Sequence, residues 1–333
     1  MRLVSFLHPR YGEQAGLWVS EEHVLSLCVP AWAAYRNGQI SRSRWHAQLR
    51  RNRMSCWLQD ADRLLEAAHQ SLALWGVDPE LVAPFLFPMS AIRMLAPVPR
   101  PSAFRDFYAF PEHVRRSRAR RGLEVPPEWY EMPVFYFSNP ETIKGPDEPI
   151  RRPPYTRALD YELELGAVLG WPVEDASPEE AEQAILGFVI LNDWSARDLQ
   201  RREMAVGLGP AKSKDFATSI GPCLLTADEV RDRRLDGGRY ELTMRAYVNG
   251  RLMSQGNARD MHYGFGALLA WASQAVRLSP GTLIGSGTVG SGCLLELGAP
   301  EAVPWLEPGD EVVLEIERIG RLRNRIVDST TPV

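Results

Sequence analysis

The chain predicts a mainly β fold with some helix, divided into a small amino-terminal domain (1–95) and a larger second domain (96–333). Three observations carry that expectation. Short apolar runs rich in β-branched and aromatic residues recur beyond residue 130, with few helical patterns between them. A stretch over roughly 42–75 instead repeats its apolar residues every three or four positions. Pro79, Pro84, Pro88, Pro97, Pro99 and Pro101 then interrupt regular structure and read as a linker.

Taken in order, residues 2–7 and 16–27 read as strands, with Gly12 and Gly16 around a turn. The helical stretch uses Trp45, Leu49, Trp57, Leu64, Leu65, Ala68 and Leu72, and Gly76 marks its stop. Beyond the linker, strands are expected at 133–137, 161–169, 185–191, 220–225, 240–248, 283–285, 293–297 and 311–319. Asn249-Gly250 is a hairpin turn signal. Two helices interrupt the strands: 178–183, with Ser177 placed as a cap, and 259–275.

A chain of 333 residues can bury a large core. Its net charge of −4 gives no reason to expect nucleic acid or an acidic membrane as partner. Cys28, Cys56, Cys223 and Cys293 form no CxxC pair, and reduced thiols in a cytoplasmic protein are expected. The first residues turn polar too soon for a signal peptide, and no run approaches the ~20 apolar residues of a membrane span.

The most informative segment is Asp160-Tyr161-Glu162-Leu163-Glu164, followed later by Asn192-Asp193-Trp194-Ser195-Ala196-Arg197-Asp198. Alternation on a strand puts Glu162 and Glu164 on one face. Two carboxylates beside apolar walls repel each other unless positive charge sits between them. A hard divalent cation suits that place, with Asp193 as a third ligand. Asp106 and His113 lie in an aromatic loop whose Pro111 and Glu112 open a helix, ahead of Arg115, Arg116, Arg118, Arg120 and Arg121. That setting favours an anionic substrate, although a solvated helix face would look the same. Lys214 lies in a Gly-rich polar loop that can present backbone N–H groups and a lysine to an anion. A plain surface loop is the alternative. Glu296, expected on a strand, needs a histidine or a cation as partner if buried, and none if it faces solvent. No GxSxG elbow is present, and Ser195 has no such context.

These motifs resemble the fumarylacetoacetate hydrolase family over roughly residues 95 to 320, and within it the fumarylacetoacetase-like members. The resemblance rests on Asp106-x-Tyr108…His113, Glu162-x-Glu164, Asn192 to Asp198 with Gln200, Ser213-Lys214…Thr218, and Gly287-Thr288…Glu296. It implies a small SH3-like β amino-terminal domain, a mixed β-roll and a homodimer. It assigns Asp106, Glu162, Glu164 and Asp193 to one Mg2+ per subunit, or Ca2+ or Mn2+. His113 and Glu296 become the dyad that activates water, and Lys214 and Thr218 the polar side of the metal pocket. Tyr108, Tyr136, Arg197, Gln200 and Thr288 become substrate contacts. The implied reaction is hydrolysis of a carbon–carbon bond in a β-diketo acid such as fumarylacetoacetate or an acylpyruvate, within tyrosine or other aromatic catabolism.

The alternatives are a hydratase, decarboxylase or isomerase working through the same metal-stabilised enolate, a tailoring enzyme for a larger diketone, and a binding protein that kept the fold. Met204 stands where fumarylacetoacetase-like members carry a substrate-binding tyrosine. The resemblance leaves the arginine for the distal carboxylate open among Arg118, Arg120 and Arg121.

Overall fold

The computed structural model describes residues 1–331, so the last two residues of the expected second domain lie outside the described residues. Strands β1 (Arg2–His8) and β2 (Gly12–Ser20) form an antiparallel hairpin, and β3 (His23–Ser26) returns along β2. The single strand expected over 16–27 is thus two, because the chain turns at Glu21 and Glu22. Helices α1 (Val29–Arg36), α2 (Arg42–Arg51), α3 (Met54–Trp57), α4 (Ala61–Val77) and α5 (Pro79–Val82) follow. The long helix expected over 42–75 breaks at Asn52, whose side chain is drawn into the interior, and restarts where Asp60 accepts the Arg63 N–H at 3.1 Å. The Pro-rich zone is built into the sheet. Its β4 (Leu86–Pro88) pairs with β3, and β5 (Arg93–Leu95) pairs with β1.

Next come β6 (Phe104–Phe107), α6 (Pro111–Ala119), β7 (Phe135–Phe137), β8 (Ile143–Lys144), β9 (Ile150–Arg151) and β10 (Leu159–Asp160). They lead into β11 (Leu163–Leu169), α7 (Pro178–Gln183), β12 (Ile185–Asp193), β13 (Ser195–Ala196), α8 (Arg197–Val206) and β14 (Thr218–Thr226). The remainder comprises β15 (Arg234–Leu235), β16 (Arg239–Tyr240), β17 (Thr243–Val248), β18 (Arg251–Asn257), α9 (Phe265–Ser273), β19 (Leu283–Gly285), β20 (Glu311–Ile316) and β21 (Gly320–Val327).

A twelve-stranded sheet runs β4-β3-β2-β1-β14-β12-β11-β19-β6-β7, with β5 and β8 attached to β1 and β14. Its centre is buried on both faces. Strands β11, β12 and β14 read as near-continuous apolar runs and expose no residue. A second sheet, β18-β17-β20-β21-β9, packs beside it through β14 and β21. Asn249 and Gly250 turn β17 into β18 with positive φ at both positions, as a type I′ hairpin needs.

Three differences from the sequence reading bear on function. Residues 293–297 form a turn and no strand, so Glu296 is held by a loop. Residues 258–260 make a 3-10 turn, so α9 starts only at Phe265. Strand β20 stops at Ile316 and hands on to β21, whose outward arginines 321, 323 and 325 alternate with buried Leu322, Asn324 and Ile326. No helix among the described residues is long and apolar enough to cross a membrane.

Candidate active site

Three strands bring four acids to one buried pocket. Asp106 comes from β6, Glu162 and Glu164 from the residue just before β11 and from its start, and Asp193 from the end of β12. Register places Asp106 opposite Tyr136 on one side and Gly285 on the other. Gly285 permits this approach, since a Cβ there would stand 2.1 Å from Asp106 Oδ1 and 3.1 Å from Glu164 Oε2. Gly287, at φ +78°, aims its N–H at Glu164 Oε2 at 3.1 Å. All four acids are buried.

Two cations serve them. Lys214, from the loop entering β14, donates to Glu162 Oε2 at 2.5 Å and Asp193 Oδ2 at 2.6 Å. Arg197, the first residue of α8, gives Nη2 to Glu162 Oε1 at 2.7 Å, Nε to Asp160 Oδ2 at 2.8 Å and Nη1 to Gln200 Oε1 at 3.0 Å. Tyr136 donates its hydroxyl to Asp193 Oδ2 at 2.5 Å. Thr288 donates to Glu164 Oε1 at 3.4 Å, and Thr218 is buried in the same neighbourhood of β14.

Electrostatics divide the acids. Burial alone would raise the Glu162 carboxyl, but the charges of Lys214 and Arg197 overcome it and hold Glu162 well below its usual range. Burial and then the Asp193 charge push Asp106 well up, and burial and the Asp106 charge do the same to Glu164. Asp193 is raised by burial despite the opposing pull of Lys214. Lys214 is held above its usual value because Asp193 and Glu162 outweigh its own desolvation.

Asp106 Oδ1, Asp193 Oδ1 and Thr218 Oγ1 are buried without a hydrogen-bond partner. Orphaned acidic oxygens beside two raised carboxyls are costly unless charge is supplied. An all-oxygen donor set of this kind fits a hard divalent ion.

His113 sits in the first turn of α6, within the pocket wall. Its Nδ1 meets Glu296 Oε1 at 2.5 Å. The other oxygen of Glu296 accepts the Ser291 N–H at 2.9 Å, and Cys293 Sγ donates to Oε1 at 3.5 Å. The edge of the Tyr108 ring stands against the imidazole at 5.1 Å between centroids, and burial pushes the Tyr108 hydroxyl up to about 12. His113, Cys293 and Glu296 also bring three donor atoms within 4.8 Å of one another, a set that can hold a divalent metal ion.

The pocket is a cavity of about 780 Å³. Asp106, Glu162, Glu164, Lys214 and His113 line its polar end, while Phe107, Val134, Phe135, Met204 and Leu295 supply apolar wall. Arg118, Arg120, Arg121 and Arg201 also line it. Arg118 Nε is engaged by the Glu124 carbonyl at 2.5 Å, and Arg120 Nη2 by the Ala299 carbonyl at 2.9 Å and Glu301 at 3.1 Å. Arg121 makes no such contact among the described residues. Of the expected substrate contacts, Tyr108, Tyr136, Arg197, Gln200 and Thr288 all line the cavity, whereas Asp193 and Glu296 lie behind its wall.

Asp160 is a residue whose part the sequence reading missed. It anchors Arg197 and accepts the Leu294 and Leu295 N–H groups at 2.8 and 3.1 Å, so it ties the carboxylate cluster to the turn carrying Glu296. The alternation Asp160, Glu162, Glu164 was the available signal. Cys293 is the other, spaced Cys-x-x-Glu before Glu296.

The family model described as fumarylacetoacetate (FAA) hydrolase C-terminal matches residues 102–327. Oxaloacetate tautomerase YisK of Bacillus subtilis (strain 168) is 29% identical over 271 residues, covering 81% of this chain and 84% of that protein. The 4-hydroxyphenylacetate degradation bifunctional isomerase/decarboxylase of Escherichia coli is 31% identical over 201 residues, 60% of this chain; the match spans only 43% of that longer protein. Among solved structures, a 5-carboxymethyl-2-hydroxymuconate delta-isomerase from Mycobacterium smegmatis aligns with a TM-score of 0.63 at 25% identity, over 98% of this chain and 100% of that one. The fold is therefore the mixed α/β type of these proteins, with a β-rich amino-terminal subdomain.

These relatives overturn the expectation of a hydrolase that cleaves a carbon–carbon bond in a β-diketo acid. They are tautomerase, isomerase and decarboxylase proteins, and the narrower likeness to fumarylacetoacetase gives way with it. What fold, pocket and family model establish together is broader: the chain belongs to the fumarylacetoacetate hydrolase family.

Proposed function

We propose that this protein is a metal-dependent isomerase of the tautomerase and decarboxylase type. It would act on a small 2-oxo acid through its enol, with an oxaloacetate-like dicarboxylate as substrate. One observation carries the reading: His113, held from behind the wall by Glu296, opens on the same cavity as the carboxylates Asp106, Glu162 and Glu164, which suit a cation.

Keto–enol conversion breaks one O–H bond and forms one C–H bond, so it needs one group that both gives and takes a proton. Glu296 accepts from Nδ1–H, fixing the ring tautomer and leaving Nε2 for that exchange. Asp106, Glu162, Glu164 and Asp193 would hold the ion, magnesium in this reading, with calcium or manganese as substitutes and one ion per subunit. Such an ion polarises a 2-oxo group and stabilises negative charge that develops on its oxygen. Lys214 adds a fixed positive charge beside Glu162 and Asp193. Gln200 gives its carbonyl to Arg197, so its amide hydrogens are available to a substrate oxygen. Arg197 itself is committed to three partners and acts by positioning Glu162. Arg121 is the arginine we assign to the distal carboxylate. Phe107, Phe135 and Leu295 keep part of the cavity apolar, which shields the enol from water. The reading retains a cytoplasmic homodimer and the boundary near residue 95.

The test follows the enol absorbance of oxaloacetate with magnesium present, with product analysis and deuterium exchange at the carbon next to the carbonyl. We expect chelator-sensitive ketonisation that falls about 10²- to 10⁴-fold in His113→Ala. Release of carbon dioxide would place the reaction on the decarboxylase branch. Failure to accelerate oxaloacetate or a ring-cleavage dienoate, by protein shown to bind magnesium, would overturn the proposal.

A further inference from the structure

Two donor sets of different chemistry lie near one cavity. The first is all oxygen. The second joins an imidazole nitrogen, a thiol sulfur and a carboxylate oxygen of His113, Cys293 and Glu296, among which Nδ1 and Sγ both lie against Glu296 Oε1. Hard magnesium has little affinity for sulfur, whereas zinc and its neighbours bind N and S donors strongly. The clamp is built from two chain segments. Helix α6 brings His113, and the turn after Gly292 presents Cys293 and Glu296 three residues apart, close enough for Sγ to reach Oε1 at 3.5 Å. The Ser291 N–H holds the second Glu296 oxygen at 2.9 Å, so the carboxylate is already oriented. Both side chains of the His113–Glu296 pair are nearly closed to solvent, at 6% and 0%, and the cavity on which His113 opens is the way in.

We propose that His113, Cys293 and Glu296 form a site for zinc-class ions, distinct from the magnesium cluster, and that its occupation switches the enzyme off. The switching half rests on the reading of His113 as the proton carrier. Zinc bonds form to Nδ1, Sγ and Oε1. The Nδ1 hydrogen leaves the bond to Glu296 and moves to Nε2. The thiol hydrogen passes to solvent, so about one proton is released per ion. No group is oxidised or reduced. His113 then presents N–H to the cavity where it had presented a lone pair, and cannot accept a proton from substrate. Three protein ligands leave a fourth position for water or a substrate oxygen.

Cobalt(II) is the probe, added to magnesium-saturated Cys56→Ser protein so that the exposed thiol does not contribute. Thiolate coordination gives an intense near-ultraviolet charge-transfer band, which a carboxylate cluster cannot give. We expect that band, its absence in Cys293→Ser, its displacement by zinc, and a zinc-dependent fall in turnover of about 10²-fold or more. Zinc sensitivity is compared with each variant's own zinc-free rate. The wild-type spectrum decides the site even if the serine variant folds poorly. No band, or equal zinc inhibition with and without Cys293, overturns the site. A band with undiminished turnover overturns the switch and locates the failure in the role given to His113.

Discussion

Asn52 and Asp106 are both buried polar side chains, and their surroundings differ in one respect. Asn52 is the hub of a neutral network in the amino-terminal subdomain. Its amide nitrogen shares two hydrogens among Gln14 Oε1 at 2.9 Å, Ser26 Oγ at 2.9 Å and the Ala15 carbonyl at 3.0 Å, and its oxygen accepts from Trp57 Nε1 at 2.8 Å. Asp106 leaves one oxygen without a partner and faces like charge. A satisfied neutral network holds the fold together, because breaking it strands its members. An unsatisfied charged one is retained against stability, which argues for function.

The largest effect should separate the two. Asp106→Asn is expected to lower turnover at least about a hundredfold and to weaken magnesium binding. The same change should leave the thermal midpoint of metal-free protein unchanged or raise it, because one repelling charge is gone. Calorimetric magnesium titration and melting curves check both, and a marked drop in the midpoint would break the contrast. Asn52→Ala should do the reverse. Urea unfolding should show a loss of about 1–3 kcal/mol, with turnover per folded molecule unaltered. A turnover defect there would mean that the amino-terminal network reaches the pocket.

The smallest effect concerns Asp198 at the start of α8. Burial would raise its carboxyl, but bonds from the Arg157 N–H at 2.8 Å and Thr156 Oγ1 at 2.6 Å prevail and hold it below the usual range. A depressed folded-state value means stability that is full above the ordinary aspartate range and lost as pH falls through the folded value. Asp198→Asn should therefore lower stability modestly at neutral pH and flatten the acid limb of the stability–pH profile, so that the two proteins converge as pH falls below the folded value. An unchanged acid limb would assign that slope to other carboxylates.

The sequence made the pocket more legible than its framework. Asp106, His113, Glu162, Glu164, Asp193 and Lys214 stood out because ionisable residues in apolar or glycine-rich surroundings are conspicuous, and the fold does bring them together. The reaction was not legible, since the same ion and the same histidine serve hydrolysis and isomerisation. Local misreadings have local causes. Residues 293–297 look apolar enough for a strand, yet the Leu294 and Leu295 N–H groups are spent on Asp160, and Gly292 and Gly298 bracket a turn. Helix α1 was hidden by Pro30, which its first turn tolerates. Strand β21 was hidden by its arginines, which face outward while the strand pairs with β20.

The pairing of β1 with β14 sets the order in which the chain can be completed. Leu3 lies against Leu224, and Arg2 against Leu225. During synthesis the β1–β2 hairpin emerges early, while its other edge waits for all the chain through β14. Contacts so distant in sequence slow folding. Until they form, one flank of β1 offers unpaired N–H and C=O groups to any other strand nearby. Brief strand β5 also pairs with β1, at Ser5, Phe6 and Leu7. It arrives long before β14 and covers the far half of that edge, a guard on the nascent chain supplied by the segment that composition alone marks as a linker.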